Sequence, residues 1–312
     1  MEDDKKQEIF ILVDGSAIVH RAYHAMPPLR RLDGTPTGAV QGFFSMILKV
    51  VQEFKPAHIA IAFDRPAPNF RKELFSRYQS QRPAMDSDLS PQFGIIQKIL
   101  EAAKLPVYSL DGLEADDIIG TIAEKAKETG HLVYILTGDR DMLQLVNGRT
   151  KVLAPLKGIS EMTLYDENKV KEKYGISPSQ FVEMKALMGD SSDNYPGVSG
   201  IGPKTASGLV LQYNSVENIY KNLDKIKAKN PKLAEKLEAG KDNALLAHQL
   251  ATILTNAPFE YDFADCSLKN LDVGGLKKAM EAYDFKTLPR RVDEVFKNGG
   301  IEKITKTQMK LL

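Results

Sequence analysis

The stretch from residue 113 to 145 constrains the fold most, because a helix pattern is followed directly by a strand pattern. Apolar residues at helical spacing predict a helix from Ala115 to Lys127, which Gly130 ends. The run LVYIL at 132–136 predicts a strand that is apolar on both faces, as in a parallel sheet covered by helices. We therefore expect an α/β fold with a central, mostly parallel sheet flanked by helices.

Five acidic residues lie at one helix start and one strand end within this stretch: Glu114, Asp116, Asp117, Asp139 and Asp141. One acid in the first turn of a helix would cap free N–H groups and suit the helix dipole. Three acids within four residues repel one another, and the pair after the strand adds to that repulsion. A bound cation would remove this cost, so the pattern predicts a metal site.

Two other predicted strands also end in aspartate. The run EIFILV at 8–13 precedes Asp14, and HIAIAF at 58–63 precedes Asp64. Asp14 begins an Asp-Gly pair, which is also common in turns. Open parallel sheets bind ligands at the carboxyl ends of their strands, so we expect these aspartates to converge with the later acidic pair.

The segment 65–83 differs in composition from its surroundings. It contains five basic residues against one acid, with Phe and Tyr interleaved. Such a segment suits single-stranded nucleic acid, whose phosphates need cations and whose bases stack on aromatic rings. The alternative is a solvated helix whose aromatic residues, Phe70 and Phe75, face the core.

A second acidic pair, Asp190 and Asp193, precedes the sequence GVSGIGPKTA. Gly200 and Gly202 permit a tight turn whose N–H groups, with the helix start near Lys204, could face a phosphate. A plain turn between two helices is the alternative. The adjacent acidic pair favours the first interpretation, in which GVSGIGPKTA is the phosphate-binding turn of a helix-hairpin-helix motif.

The remaining patterns predict an α/β core at 1–175, a helical region at 176–296 and a tail at 297–312. We expect a short strand at 107–110 and a last strand near 152–153 that ends the sheet, followed by a polar, mixed stretch at 156–174. Residues 252–268 are expected to be extended or loop. Further helices are predicted at 39–54, 90–104, 180–188, 220–250 with a break at Pro231, and 276–296.

Composition excludes several classes of protein. One cysteine, Cys266, excludes an internal disulfide and a cysteine-cluster zinc site, and the five histidines are scattered, which predicts packing or surface roles. No apolar run approaches membrane-spanning length and the N-terminus is unlike a signal peptide, so we expect a cytoplasmic protein without membrane contact. The net charge is +1, but the nine acids discussed here would, if occupied by cations, leave an excess of ten positive charges among the remaining residues.

The motifs VDGSA, AFDRPAPNFR, LEADDIIG, LTGDRDMLQL and MGDSSDNYPGVSGIGPKTA, in this order, resemble the 5′ nuclease (5′-3′ exonuclease) domain of bacterial DNA polymerase I, in the flap endonuclease family. The resemblance runs from Ile9 to Phe296. It implies a PIN-like or resolvase-like α/β fold, a C-terminal helix-hairpin-helix region, and a helical arch at about 65–105 that admits a 5′ single strand.

The resemblance also implies roles for individual residues. Two Mg²⁺ ions, for which Mn²⁺ would substitute, are implied in the acidic cluster, and K⁺ at the hairpin. Asp14, Asp64, Glu114 and Asp116 match the first metal site, with Asp117 nearby, and Asp139, Asp141, Asp190 and Asp193 match the second. The positions that handle DNA are Arg21, Tyr78, Arg82, Lys185 and Lys204, and the basic segment and hairpin add Arg71, Lys72, Gly200 and Gly202.

We therefore expect a structure-specific 5′ nuclease that acts on DNA flaps, nicks or branches in replication and repair. We expect it to be a monomer and to have a fused or separate DNA polymerase as its partner.

One residue departs from the family: many bacterial members have lysine after the arch tyrosine, where this chain has Gln79. A flap-binding protein with weakened catalysis is the alternative that this neutral residue motivates. A haloacid dehalogenase-type phosphatase would need an Asp-x-Asp after its first strand, where this chain has Asp14-Gly15-Ser16, and a toprim-like nuclease would not explain Asp190 and Asp193 beside the hairpin.

Overall fold

The computed structural model describes residues 7–297, and the predicted tail at 297–312 lies outside it apart from its first residue. A six-stranded sheet forms the centre of the N-terminal part. Its strands are β1 Ile9–Asp14, β2 His58–Ala62, β3 Val107–Tyr108, β4 Leu132–Leu136, β5 Thr150–Lys157 and β6 Glu161–Tyr165. Their order in the sheet is β3-β2-β1-β4-β5-β6, and all neighbours are parallel except β5 and β6, which are antiparallel. This confirms the predicted α/β class.

Helices cover both faces of the sheet and continue into a helical C-terminal part, which also holds a two-stranded hairpin of β7 Gly189–Asp190 and β8 Tyr195–Pro196. The helices are α1 Gly15–Ala25, α2 Gly38–Phe54, α3 Phe70–Leu74, α4 Ser90–Ala102, α5 Ala115–Glu128, α6 Glu167–Tyr174, α7 Phe181–Met188, α8 Pro203–Tyr213, α9 Val216–Lys221, α10 Leu223–Lys229, α11 Pro231–Ala239, α12 Lys241–Ala251, α13 Val273–Ala282 and α14 Thr287–Lys297.

The alternation of side chains along the strands builds two hydrophobic cores, one on each face. Phe10 and Leu12 of β1 pack with α5 on one face, and this core continues into the helices of the C-terminal part. Ile11 and Val13 pack with α1, α2 and α4 on the other face. Because both faces are buried, the central strands are apolar throughout, which is why the sequence predicted them.

One sequence-based expectation is wrong, and another is incomplete. The strand near 152–153 does not end the sheet, because β6 pairs antiparallel with β5 and Asp166 then caps α6. Only Tyr165 of β6 is buried, so this edge strand has no continuous apolar run to reveal it. The region 220–250 is helical and is broken at Pro231, as predicted, because α10 ends at Lys229 and Pro231 begins α11; a further break at Gly240, which separates α11 from α12, was not predicted.

The segment expected to form an arch is only partly helical. It contains α3 and α4, and residues 75–89 between them form turns and extended chain. Within residues 7–297 we find no helix long and apolar enough to cross a bilayer.

Candidate active site

The carboxyl edge of the sheet brings together the aspartates that follow β1 and β2. Asp14 caps α1 by accepting a hydrogen bond from the Ala17 amide at 2.9 Å, and it also accepts one from the Thr137 hydroxyl at 2.7 Å. Asp64 accepts from the Ala115 amide at the start of α5, at 2.9 Å. Both carboxylates are therefore held by backbone and strand-end groups at one edge, as the parallel topology predicts.

Glu114 immediately precedes α5, and four side chains contact its carboxylate. Its Oε1 accepts from the Asn69 side-chain amide at 2.9 Å and from the Gln79 side-chain amide at 3.0 Å. Its Oε2 lies 2.8 Å from an Arg71 guanidinium nitrogen and accepts from the Tyr78 hydroxyl at 3.2 Å. Four side chains from the segment before α4 thus fix this carboxylate.

The acids after β4 are oriented by short local bonds. The Asp139 amide donates to the Thr137 hydroxyl oxygen at 2.9 Å, and the Asp141 amide donates to Asp139 Oδ1 at 2.8 Å. Lys185 of α7 donates to Asp141 Oδ1 at 2.5 Å and also to Asp190. An ammonium group therefore joins an acid of the sheet edge to an acid of the β7–β8 hairpin.

The hairpin completes the acidic cluster. Carboxylate oxygens of Asp141, Asp190 and Asp193 lie within 4.8 Å of one another, close enough for one cation to bind all three. Asp193 also forms an ion pair with Arg82 at 2.7 Å and accepts from the Tyr78 hydroxyl at 3.3 Å. The residues from two distant parts of the sequence thus share one site.

Burial and mutual repulsion raise the pKa values of several carboxylates in this cluster, whereas the bonds from Lys185 and Ser192 lower the pKa of Asp190 despite its burial. Burial, with the charge of Asp64, raises the pKa of Asp14 to about 7. Burial, with the charge of Asp139, raises the pKa of Asp141 to about 7 against the opposing effect of Lys185. The pKa of Asp116 is raised well above its ordinary value by burial and then by Asp139. A divalent cation would relieve both the repulsion and the desolvation.

Two adjoining clefts hold eight of the nine predicted acids. One, of about 620 Å³, is lined by Asp14, Asp64, Glu114 and Asp116, together with Asp139, Asp193 and Arg82. The other, of about 760 Å³, is lined by Asp141, Asp190 and Lys185, together with the same Asp139, Asp193 and Arg82. The shared residues make the two clefts a single continuous site.

Asp117 is the ninth acid and lies beneath the clefts, fully buried. Its two oxygens accept from Arg71 at 2.7 and 2.8 Å, and they also accept from the amides of Glu114 at 3.1 Å and Leu254 at 2.9 Å. Arg71 is 2 % exposed and donates further to the carbonyl oxygens of Leu250 and Thr252. Both side chains are thereby committed to contacts within the protein.

The other predicted DNA-contacting residues are distributed unevenly. Lys72 is exposed and lines the first cleft, and Tyr78 lines it while only 4 % exposed, with its ring stacked on Tyr195. Arg21 lines neither cleft and donates to the carbonyl oxygens of Leu156 and Gly158 at the β5–β6 turn.

The turn of the predicted helix-hairpin-helix motif, at Gly200 and Gly202, lies just before α8. Gly200 adopts a positive φ of 75°, as a tight turn requires, and Lys204 is exposed in the first turn of α8. Gly202 precedes α8 as its N-terminal cap, with φ −101°. Lys236 donates to the Gly200 carbonyl oxygen at 3.1 Å, so an ammonium group already uses one oxygen of the turn.

Sequence reasoning missed several residues that support the site. Thr137 bonds Asp14, and Asn69 bonds Glu114 while capping α3. Gly189 and Gly197 allow the hairpin strands to touch, because a Cβ on Gly197 would lie 2.2 Å from the Gly189 nitrogen. The paired glycines that flank the acidic motif were a signal that could have indicated such an approach.

Comparison with known proteins agrees with this architecture. The family model for the 5′-3′ exonuclease N-terminal resolvase-like domain matches residues 9–175, and that for the 5′-3′ exonuclease C-terminal SAM fold matches residues 176–274. The 5′-3′ exonuclease of Aquifex aeolicus is 34% identical, over 93% of this chain and 96% of its own. DNA polymerase I of Bacillus subtilis is 40% identical over 91% of this chain but 32% of its own, so the chain spans about a third of that relative.

Solved structures share the fold at low sequence identity. A bacteriophage T5 D15 flap endonuclease, in a pseudo-enzyme-product complex with DNA and metal ions, superposes with a TM-score of 0.63 at 18% identity, covering 93% of this chain and 98% of that one. The catalytic core of Rad2 in complex with DNA substrate superposes with a TM-score of 0.55 at 18% identity, covering 93% and 91%. From the two family models and the Aquifex relative together, the chain belongs to the 5′-3′ exonuclease family.

Proposed function

We propose that the chain is a structure-specific 5′ nuclease that hydrolyses DNA phosphodiesters near junctions between single-stranded and duplex DNA. The observation that carries this proposal is the continuous acidic site, in which eight carboxylates surround two clefts that share Asp139, Asp193 and Arg82. Family membership and the DNA complexes of its structural neighbours support the same activity.

The donor set fits two magnesium ions. Carboxylate oxygens are hard ligands that suit Mg²⁺, with Mn²⁺ as a substitute, and Mg²⁺ keeps several waters, so not every acid needs to bind directly. Two such ions supply a nucleophilic water and neutralise charge on the phosphate and the leaving oxygen. We assign Asp14, Asp64, Glu114 and Asp116 to the first ion and Asp139, Asp141, Asp190 and Asp193 to the second.

Basic residues at the clefts would position the substrate. Arg82 has a half-exposed side chain and Lys72 is exposed, so both can meet a phosphate in the first cleft. Lys185 neutralises Asp141 and Asp190 in the protein alone. We propose that a divalent ion displaces this ammonium, which then becomes available to the phosphate.

Arg71 and Asp117 take a different role from the one the sequence suggested. Because Arg71 is enclosed and all its nitrogens bond protein oxygens, we propose that it positions Glu114 rather than contacting DNA. Asp117 holds Arg71 in turn and is proposed as a support for the metal site rather than a ligand. Arg21, which bonds the β5–β6 turn, would contact DNA only outside the clefts.

The C-terminal part would hold the duplex. The exposed Lys204 and the turn at Gly200 and Gly202 can contact backbone phosphates without reading sequence. A K⁺ ion at this turn, as the resemblance implies, would share the carbonyl oxygens of the turn with Lys236.

Residues 65–105 wall the first cleft, and we propose that the 5′ strand passes beside them. A fused or separate DNA polymerase is the proposed partner, since relatives named DNA polymerase I contain this region.

A labelled 5′-flap duplex incubated with the protein tests this proposal. We expect Mg²⁺-dependent cleavage near the junction, loss of cleavage with a chelator, and at least a hundredfold slower cleavage by Asp139→Asn. Nicked and single-stranded DNA of the same sequence serve as comparison substrates. Undiminished cleavage by Asp139→Asn, or cleavage with chelator present, would falsify the assignment of the acidic site.

A flap-binding protein with weakened catalysis is the second candidate. It is favoured by one contact, in which the neutral amide of Gln79 donates to Glu114 at 3.0 Å where many family members place a lysine. Tight flap binding without cleavage at any Mg²⁺ or Mn²⁺ concentration would support this candidate over the nuclease.

A further inference from the structure

A second group of metal-binding side chains lies at the opposite edge of the sheet from the acidic site. Glu8 immediately precedes β1, His58 is the first residue of β2, and His131 immediately precedes β4. Because β1 lies between β2 and β4 and all three run parallel, their N-terminal ends meet at one edge. The topology therefore brings together three residues that are far apart in sequence.

The distances suit a single small cation. One nitrogen of each imidazole and one oxygen of Glu8 lie within 4.8 Å of one another. His131 Nε2 lies 3.7 Å from Glu8 Oε2, and the two imidazole rings are perpendicular with centroids 5.2 Å apart. Ligands at the usual bond lengths of a tetrahedral zinc ion are about 3.4 Å apart, so small side-chain rotations would close the site.

Local hydrogen bonds orient His131 for binding. The Thr129 hydroxyl oxygen lies 2.9 Å from the Ala126 carbonyl oxygen and 2.8 Å from His131 Nδ1. In the neutral tautomer whose Nδ1–H donates to this hydroxyl, which then donates to the carbonyl oxygen, the lone pair is on Nε2, 3.7 Å from Glu8 Oε2. Imidazole ligands of metals are commonly fixed in this way, through a bond from the other ring nitrogen.

His58 supplies a second, independent observation. Its Nδ1 is buried and has no hydrogen-bond partner among the described residues. Buried polar atoms are nearly always paired, so this atom calls for a partner that the described residues do not provide. Phe263 packs against both rings, with centroids 4.3 Å from His58 and 4.5 Å from His131, and holds the imidazoles together.

We propose that Glu8, His58 and His131 form a binding site for one transition-metal ion of the zinc class, separate from the acidic site. Imidazole nitrogens favour Zn²⁺, Co²⁺ or Ni²⁺, whereas the all-carboxylate cluster favours Mg²⁺ or Mn²⁺, so the two edges of the sheet select different metals. An ion here would join the starts of β1, β2 and β4. This proposal differs from the sequence-based interpretation of His58 and His131 as packing or surface residues.

Cobalt titration tests the site without reference to nuclease activity. The protein is prepared without a histidine tag, carries Asp139→Asn and Asp141→Asn to weaken the acidic site, and is kept in excess Mg²⁺. Tetrahedral Co²⁺ with nitrogen ligands absorbs visible light much more strongly than Co²⁺ bound by carboxylates and water alone. We expect strong visible absorption that saturates at one Co²⁺ per chain and is abolished by Zn²⁺ but not by Mg²⁺.

Variants identify the ligands. His131→Phe and His58→Phe keep a ring against Phe263 but remove the nitrogens, and Glu8→Gln changes a side chain that is 61% exposed, so we expect it to preserve the fold. Each should weaken Co²⁺ binding at least tenfold, while Thr129→Val should weaken it less and His24→Phe should leave it unchanged. Binding that survives Glu8→Gln and His131→Phe unaltered, or an absent visible band in the parent protein, overturns the proposal. Should a histidine variant fail to fold, Glu8→Gln decides alone.

Discussion

Arg71 and Asp117 form a bidentate ion pair, with N–O distances of 2.7 and 2.8 Å, in the interior of the protein. Arg71 comes from the short helix α3 and Asp117 from the first turn of α5. The same guanidinium lies 2.8 Å from Glu114 and reaches the chain after α12 through the Thr252 carbonyl oxygen. The buried side chain of Arg71 thus links the segment that walls the first cleft with the acidic site and with the C-terminal part.

Removing one partner of this pair should strongly destabilise the protein. Asp117→Ala leaves an unpaired buried guanidinium, and breaking a buried ion pair typically costs about 3–5 kcal/mol. Urea denaturation at pH 7.5 measures the loss. The double change Arg71→Met with Asp117→Leu should cost less than Asp117→Ala, since it leaves no unpaired guanidinium in the interior and Glu114 keeps its hydrogen bonds to Asn69, Tyr78 and Gln79.

A surface pair provides the control for that experiment. Lys169 and Glu172 are exposed neighbours on α6, so Glu172→Ala should leave stability essentially unchanged. If Asp117→Ala and Glu172→Ala had equal effects on the urea midpoint, the buried pair would not have the structural role we assign to it.

Gln79→Lys should accelerate flap cleavage. The glutamine side chain already touches Glu114, so a lysine there would place a positive charge beside the acidic site and near the phosphate. We expect about a tenfold higher single-turnover rate, corresponding to roughly 1.4 kcal/mol of transition-state stabilisation. Lysine is as compatible as glutamine with the positive φ of 56° at this position. Gln79→Met, which is neutral, is the matched control, and equal rates for the two variants would exclude a role for charge.

The sequence predicted the centre of the fold well because buried parallel strands and amphipathic helices have distinct periodicities. It also predicted that Asp14 and Asp64 would meet the acids after β4, since the carboxyl ends of parallel strands share one edge. These inferences depend only on local pattern and topology. The edge strand β6 was missed because one buried residue in five gives no clear pattern.

Roles that depend on distant contacts could not be predicted. Arg71 lies in a basic, aromatic segment and so resembles a phosphate ligand, yet its partners include a carbonyl 181 residues further along the chain. The family resemblance assigned Tyr78 to DNA, and the structure shows that this side chain is 4% exposed and that its hydroxyl contacts Glu114 and Asp193. Only the tertiary structure distinguishes a side chain that supports the site from one that meets a ligand.

Removing divalent metal should lower the thermal stability of the protein. The raised pKa values of Asp14 and Asp141, near 7, reflect burial and repulsion that a bound ion would offset. Ligand at 100 times its Kd adds about 2.7 kcal/mol, so we expect saturating Mg²⁺ to raise Tm by about 5 °C over a chelator-treated sample. Asp141→Asn should reduce this increment. Asp166→Asn, which alters only the cap of α6, should lower Tm slightly and leave the increment intact.

His248 of α12, which bonds Glu183 of α7, should make stability depend on pH. A hydrogen bond with Glu183 raises the pKa of His248 above its ordinary value of 6.5. The folded state therefore favours the protonated His248 ring. The contribution of the His248–Glu183 pair to the free energy of unfolding is fully present below pH 6.5 and is lost as pH rises through the higher pKa of the folded state. Thermal scans between pH 5.5 and 8.5 should show Tm falling over this window. Glu183→Gln should flatten that part of the profile, and an NMR titration should return the His248 pKa towards 6.5.

The glycines of the β7–β8 hairpin should be essential for the second cleft. A Cβ on Gly197 would lie 2.2 Å from the Gly189 nitrogen, which is backbone and cannot move aside alone. Gly197→Ala should therefore force the strands apart, costing about 1–3 kcal/mol or more and shifting Asp190 and Asp193. We expect weaker Mg²⁺ binding by calorimetry together with slower cleavage. Gly208→Ala in α8, where the new methyl meets no atom within 4 Å, should instead add about 0.5–1 kcal/mol of stability. Equal stability of the two variants would show that the hairpin tolerates a wider spacing than this contact implies.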